Sequence, residues 1–382
     1  LDSYFAGCIE DEDVPYTWES EGEQTENAYN RTWVNKFAGS YGLNYSFLDG
    51  FSAESRIQFN HASVKTKSYS PEVYYGSGKV FNTVSALADL TDANNTSSVF
   101  ESEQTYKDYT FDAVVDWLAF TEADIERDIS LFHDKVKQFI FISSASVYQK
   151  PLRNYLITEE TPVENPFWEY ARNKIACEQK LRNEFNKNKF PITIVRPSFT
   201  YGVTLIPAIV SNNKMPMTLI NRMREGKKII VPGDGSSLWV MTHSSDFAKG
   251  FVGLLGNEKA IGETFHITSD EVQTWDAIIK TIVLIAIVEP KIVHIPSDFI
   301  NAYSPEIGQG LLGDKATSTV FDNSKIKRFV PEFKCTVKYE DGIAESIKWL
   351  EAHPEYCKVD DENNRIMDEI IMKYESALPK NY

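Results

Sequence analysis

Near residue 108 the rhythm of the chain changes from period-two alternation to short apolar runs separated by helical patterns, and that change bounds what each part can become. Downstream, Phe111-Asp112-Ala113-Val114-Val115 reads as a short buried strand. Glu122 to Val136 reads as an amphipathic helix, with Ile125, Ile129 and Phe132 at helical spacing, and Gln138 to Ile142 as a second buried strand. A further helix, about 168–185, precedes the strand Ile192-Thr193-Ile194-Val195. Strands alternating with helices predict an α/β unit: a parallel sheet with crossover helices. Past Gly202 the elements shorten and mix, with helices near 216–225, 245–255, 274–286 and 340–352 and strands near 228–231, 263–267 and 291–295. That mixture predicts a smaller α+β subdomain, mainly residues 203–382, attached to the sheet.

Upstream, residues 1–26 carry nine acids and no Lys or Arg, the pattern of a solvated segment. From Trp33 the apolar positions Phe37, Tyr41, Leu43, Tyr45 and Phe47 share one face of a strand. After Leu48-Asp49-Gly50 the alternation resumes with Phe51, Ala53, Ile57 and Phe59. Two such runs predict a β-hairpin. Its strand length and aromatic content make residues 27–81 resemble a fragment of a TonB-dependent outer-membrane receptor; an ordinary half-buried antiparallel sheet reads the same way. Residues 84–105, rich in Ser, Thr, Asn and Asp, read as a linker, which gives two domains, 1–107 and 108–382.

Charge and cysteine usage exclude several functions. With 55 acids against 39 bases the net charge is −16, so a broad phosphate-binding face, and with it nucleic acid as a partner, is not expected. The longest apolar run, Thr281 to Val288, is far below the roughly 20 residues of a spanning helix, so no membrane span is expected. Cys8, Cys177, Cys335 and Cys357 are scattered, which predicts neither a disulfide framework nor a metal site. Leu1 opens the chain with no basic, apolar leader beside it; a cytoplasmic location is the expectation, for a fragment or a chain whose start was removed.

Tyr170-Ala171-Arg172-Asn173-Lys174 sets a phenol and an ammonium on one helix face. A second copy, Tyr75 to Lys79, lies in a glycine-containing segment and reads as chance. Around Tyr170, two sheet-edge segments converge: Phe139-Ile140-Phe141-Ile142-Ser143-Ser144-Ala145-Ser146-Val147-Tyr148, and Arg196-Pro197-Ser198-Phe199-Thr200-Tyr201-Gly202 after the 192–195 strand. On these three motifs residues 108–352 resemble the extended short-chain dehydrogenase/reductase family, the NAD-dependent epimerases and dehydratases. The resemblance implies a partial Rossmann-like sheet, with NAD or NADP as cofactor. The partners it implies are a small-molecule substrate, a nucleotide-sugar or similar, and a second copy of the chain in a homodimer.

The resemblance also assigns roles. Tyr170 would exchange the substrate proton as hydride moves, because hydride transfer to or from a carbinol carbon needs a proton donor or acceptor on its oxygen. Lys174 would bond the nicotinamide ribose and lower the phenol's pKa, ordinarily near 10. Ser144 would hold the substrate oxygen, with Ser146 and Thr200 beside the substrate. Trp117, Leu118 and Ala119 would line the cofactor cleft, and Pro197 and Ser198 would approach the nicotinamide. His243 reads as a cap or packing residue, and Cys177 as reduced packing.

One departure is large. The family opens with a strand, a Gly-x-x-Gly-x-x-Gly turn and a helix, whose backbone cradles the pyrophosphate. Here no glycine lies between Gly78 and Gly202, and Gly76-Ser77-Gly78 runs into Lys79-Val80-Phe81. Weak NAD(P) affinity is therefore expected. The alternatives to an epimerase or reductase are a non-catalytic module of the same fold that binds RNA or protein, and an outer-membrane receptor fragment.

Overall fold

The computed structural model describes residues 110–210 and 215–379, and upstream of them only the backbone strands Ala6–Gly7, Tyr16–Thr17, Asn30–Leu48, Phe51–Ser68 and Val80–Phe81. The chain divides into two units, Leu1–Tyr109 and Thr110–Tyr382. In the first, Asn30–Leu48 pairs antiparallel with Phe51–Ser68, with Tyr41 opposite Ile57. The receptor-like reading of residues 27–81 rests on side chains outside the described residues. So do the acidic start, the Tyr75 to Lys79 copy and the 84–105 linker.

The second unit is built on four parallel strands: β1 (Val114–Asp116), β2 (Phe139–Ile142), β3 (Ile192–Pro197) and β4 (Thr264–Ile267), in the order β4-β3-β2-β1. Two crossover helices connect the first three, α1 (Glu122–Phe132) and α2 (Glu169–Asn188). Thr121 and Asp124 start α1 with a reciprocal capping box. The helix stops at Phe132, short of the expected Val136, because Asp134 takes a left-handed φ of 60°. Lys189, also left-handed, ends α2.

One element falls in a different layer from that expected. Thr264–Ile267, expected in the subdomain, is the fourth strand of the main sheet, with Phe265 opposite Val195. Its Phe265 and Ile267 share a buried cluster with Ile140, Ile142 and Val195. A short apolar run names no partner by itself, and the partner lies about 70 residues upstream.

Further strands pair outside the main sheet. Lys228–Pro232 pairs with Lys291–Ile295, and Leu238–His243 pairs with both Phe199–Tyr201 and Val272–Thr274. Trp239 stacks on Trp275, ring centroids 5.4 Å apart, within a shared buried cluster. A last helix, α3 (Asp361–Ala377), left unassigned by the sequence pattern, is capped by Asp360 and buries Met367, Ile370 and Ile371. No helix among the described residues is long and apolar enough to cross a membrane.

At the end of β1, partly buried Asp116 lies next to a buried acid. Asp116 accepts hydrogen bonds from the Leu118 and Ala119 amides at 2.7 and 3.0 Å. Asp128, on α1, is only 2% exposed. Burial, and then the neighbouring Asp116 carboxylate, holds the Asp128 carboxyl far above the carboxylate range, so it stays protonated and donates to Asp116. The unfolded chain releases that proton near pH 4 and the folded chain keeps it, so this pair lowers stability as pH rises from about 4. Asp128→Asn keeps a donor and does not titrate. Urea unfolding should show the variant gaining on wild type at about pH 8 relative to about pH 5; an equal difference at both pH values would contradict the shared proton.

Candidate active site

The C-terminal ends of the parallel strands, where open α/β sheets place their ligands, carry the candidate chemistry. At the end of β2, Ser144 caps a single 3₁₀ turn, Ala145–Val147. Its Oγ accepts from the Ser146 amide at 3.2 Å and lies 2.9 Å from the Ser146 hydroxyl. Tyr170 sits in the first turn of α2, whose start is fixed by Asn165: its Oδ1 accepts from the amides of Phe167 and Trp168. Pro197 ends β3, Ser198 follows it, and Thr200 lies on the next strand. These six residues, Ser144, Ser146, Tyr170, Pro197, Ser198 and Thr200, line one cavity of about 770 Å³.

Lys174 does not reach it. The Nζ donates to the Ala119 carbonyl at 2.7 Å and the Ile142 carbonyl at 2.8 Å, and lies over the rings of Phe120 and Phe141. Burial brings its pKa down to about 8. The expected lowering of the Tyr170 pKa is not found. Burial raises it, only partly opposed by the Ser144 hydroxyl, and the Asp314 carboxylate raises it further. The physical reason is direction: the ammonium points down to the backbone of β1 and β2, 6.0 Å from the centre of the phenol ring. Burial and the Asp314 charge thus hold the Tyr170 phenol above the usual tyrosine range, the opposite of the direction expected from Lys174.

Beneath the serine turn lies a buried polar network. Arg196 grips Glu178 with Nε to Oε1 at 2.8 Å and Nη2 to Oε2 at 2.5 Å, and Ser143 donates to the same Oε1 at 2.6 Å. The guanidinium stacks over Tyr148, whose hydroxyl meets His266 Nδ1 at 2.9 Å. Glu178 is four residues past Lys174 on α2, so one helix face carries the phenol, the buried ammonium and the carboxylate that anchors β3.

Several wall residues were not singled out by motif. Leu311–Lys315 forms a π-helical turn, a distortion that often marks functional sites, and presents Asp314 and Lys315 to the cavity. Asn165 Nδ2 ties this turn to the serine turn, donating to Gly313 O at 2.6 Å and Ser146 O at 2.8 Å. Lys150, 2% exposed, donates to the Asp314 carbonyl. The i, i+4 and x-Pro patterns carry no trace of these contacts; only Gly313, whose lack of a side chain allows close approach to Trp168 and Asn165, signals them.

The residues expected at the cofactor divide. Pro197 and Ser198 line the cavity, but Trp117 and Leu118 do not; Trp117 packs against Phe251, centroids 5.3 Å apart, and Ala119 is buried under Lys174. The described residues do not fit a whole dinucleotide. Lys174 is committed to two carbonyls, and no glycine between Gly78 and Gly202 is present to cradle a pyrophosphate. His243 caps the helix Ser244–Val252 through its ring, accepting from the Ser245 amide, and Cys177 is buried and free. No group of three or more metal-ligating side chains occurs among the described residues.

Comparison with known proteins bears on this geometry. Residues 86–268 match the model of the NAD dependent epimerase/dehydratase family, starting ahead of residue 108 and taking in most of the stretch read as a linker. A chloroplast stem-loop binding protein of 41 kDa from Arabidopsis thaliana is 30% identical over 191 residues, 50% of this chain and 47% of that protein. The dTDP-D-glucose 4,6-dehydratase of Homo sapiens is 24% identical over 190 residues, 47% of this chain and 52% of the enzyme. This chain thus spans about half the length of these relatives. Among solved structures, dTDP-glucose 4,6-dehydratase from Bacillus anthracis in complex with NAD superposes with a TM-score of 0.53 at 16% identity, covering 72% of this chain and 86% of that one, a likeness of fold.

Proposed function

Because residues 86–268 belong to the NAD dependent epimerase/dehydratase family, we propose that the Thr110–Tyr382 unit holds the substrate side of an epimerase-, dehydratase- or reductase-type site. One observation carries this reading: the Ser144 hydroxyl and the Tyr170 phenol meet at one cavity wall, at the C-terminal edge of a parallel sheet. In the reducing direction, where hydride would reach the carbon of a carbonyl group and break its C=O π bond, Ser144 holds the carbonyl oxygen and Tyr170 passes its proton to that oxygen, leaving an alcohol. Ser146 orients Ser144 through their 2.9 Å contact. Loss of turnover in Tyr170→Phe with the fold retained tests the assignment.

The resemblance implies NAD or NADP as hydride carrier, and the human relative's name points to a nucleotide-sugar. The described residues support only the nicotinamide end of such a cofactor, through Pro197 and Ser198. Affinity weaker than micromolar is therefore expected when the purified chain is titrated with NAD(H) or NADP(H) by calorimetry; micromolar binding would show that residues outside the described part cradle the diphosphate.

The stem-loop binding relative favours a second reading, a non-catalytic RNA-binding module of the same fold. Its electrostatic requirement is poorly met. Among the described residues, the basic cluster Lys325, Lys327 and Arg328 has two members paired, Lys325 with Glu263 and Lys327 with Asp270, each at 2.7 Å, in a chain of net charge −16.

A further inference from the structure

Resting on the reading that Ser144 and Tyr170 form the reacting end of the cavity, we infer that Asn165 is a positioning residue for that site: its amide sets the gap between the reacting end and the wall that carries Asp314 and Lys315. Asn165 is 3% exposed and does not itself line the cavity. It acts through what it holds.

All four hydrogen-bonding positions of the amide are used. Nδ2 donates to Ser146 O at 2.8 Å and to Gly313 O at 2.6 Å, while Oδ1 accepts from the amides of Phe167 and Trp168 at 3.2 and 3.1 Å. One planar group thus joins the serine turn, the π turn and the start of α2, just ahead of Tyr170. The partners fix which way the amide faces. Turned over, it would set its oxygen against two carbonyls and its NH2 against two N–H groups.

The π turn is held from several sides. Ala316 N donates to Leu311 O at 2.8 Å, the wide bond of such a turn, and the carbonyls left at its end need other partners. Each of residues 313–316 accepts from a side chain of another segment: Gly313 from Asn165, Asp314 from Lys150 at 3.1 Å, Lys315 from Trp275 Nε1 at 3.2 Å and Ala316 from Ser237 at 3.1 Å. Of these donors, Asn165 is the one that also bonds the serine turn. Gly313 belongs to the same seam, since an added Cβ would lie 2.5 Å from Trp168 Cβ and 3.1 Å from Asn165 Oδ1. Burial raises the Tyr170 pKa most, and at this separation the Asp314 carboxylate adds to the rise.

The test reads that communication in the full chain. Phenolate absorbance is titrated in wild type and in Asn165→Ala, with and without Asp314→Asn, each against its own Tyr170→Phe reference. In wild type, Asp314→Asn should lower the midpoint of the phenol. In Asn165→Ala the same change should move it by no more than about half as much, while circular dichroism shows the fold retained. Lys150 and Lys315, 3.9 and 3.4 Å from the Asp314 carboxylate, and Lys174, 6.0 Å from the centre of the phenol ring, stay in every chain compared, so the paired difference isolates the carboxylate. An asparagine that only stabilised the fold would lower the melting temperature and leave the Asp314→Asn shift whole. Should Asn165→Ala not fold cooperatively, Gly313→Ala, which pushes the same turn off Trp168, is read by the same criterion. No Asp314→Asn shift in wild type, or more than about half of it surviving in the variant, would overturn the inference. The proton-transfer reading is tested apart, since it falls if Tyr170→Phe keeps full turnover and these titrations involve no turnover.

Discussion

Replacing Tyr170 with phenylalanine should cut turnover by about two to four orders of magnitude, the usual worth of a positioned proton donor, while leaving the fold in place. The substitution removes one oxygen at the cavity wall and keeps the ring that packs on Trp168, centroids 4.9 Å apart, and lies beside Phe120. The circular dichroism spectrum and melting temperature should therefore hold. Ser144→Ala should give a smaller loss, because the Ser146 hydroxyl 2.9 Å away can take over part of the contact to the substrate oxygen. If Tyr170→Phe turned over as well as wild type, the site would not be a proton-transfer site.

The second large effect is on stability. Arg196 and Glu178 are each 2% exposed and face each other with two hydrogen bonds. Arg196→Met removes the cation and leaves a carboxylate buried with only Ser143 as partner, a situation that costs about 3–5 kcal/mol. For a unit of this size the melting temperature should fall by roughly 10 °C. Replacing both members with apolar residues should recover much of that, since a buried ion pair is worth little against well-packed hydrophobic groups and its breakage leaves an uncompensated charge. A drop below about 1 kcal/mol in the single variant would mean that Glu178 takes up a proton or water at small cost.

Much of the second unit was legible because its signals are local. Strand and helix alternation from residue 110 onward, Ser144 at the end of a buried strand, and Tyr170 one turn ahead of Lys174 all follow from spacing within a few residues. What spacing could not show is the direction of a side chain once the chain has folded. Lys174 points to the carbonyls of Ala119 and Ile142, 55 and 32 residues away, and so leaves the phenol protonated. Nor could it show the far wall of the cavity, where Asp314, Lys315, Asp360 and Glu362 arrive from more than 140 residues beyond Tyr170 on a π turn and the first turn of α3. The fourth strand, Thr264–Ile267, was visible as a strand but not as a member of this sheet, because pairing partners carry no mark of one another.

The state of the Tyr170 phenol is the point on which the account turns, and it can be read directly. The difference in phenolate absorbance between wild type and Tyr170→Phe should stay at zero through neutral pH and appear only above the ordinary tyrosine range, as burial and the Asp314 charge dictate. A phenolate belonging to Tyr170 that appears near neutral pH would contradict the account: Lys174 would then be turned toward the phenol, and Tyr170 would be a base instead of a donor.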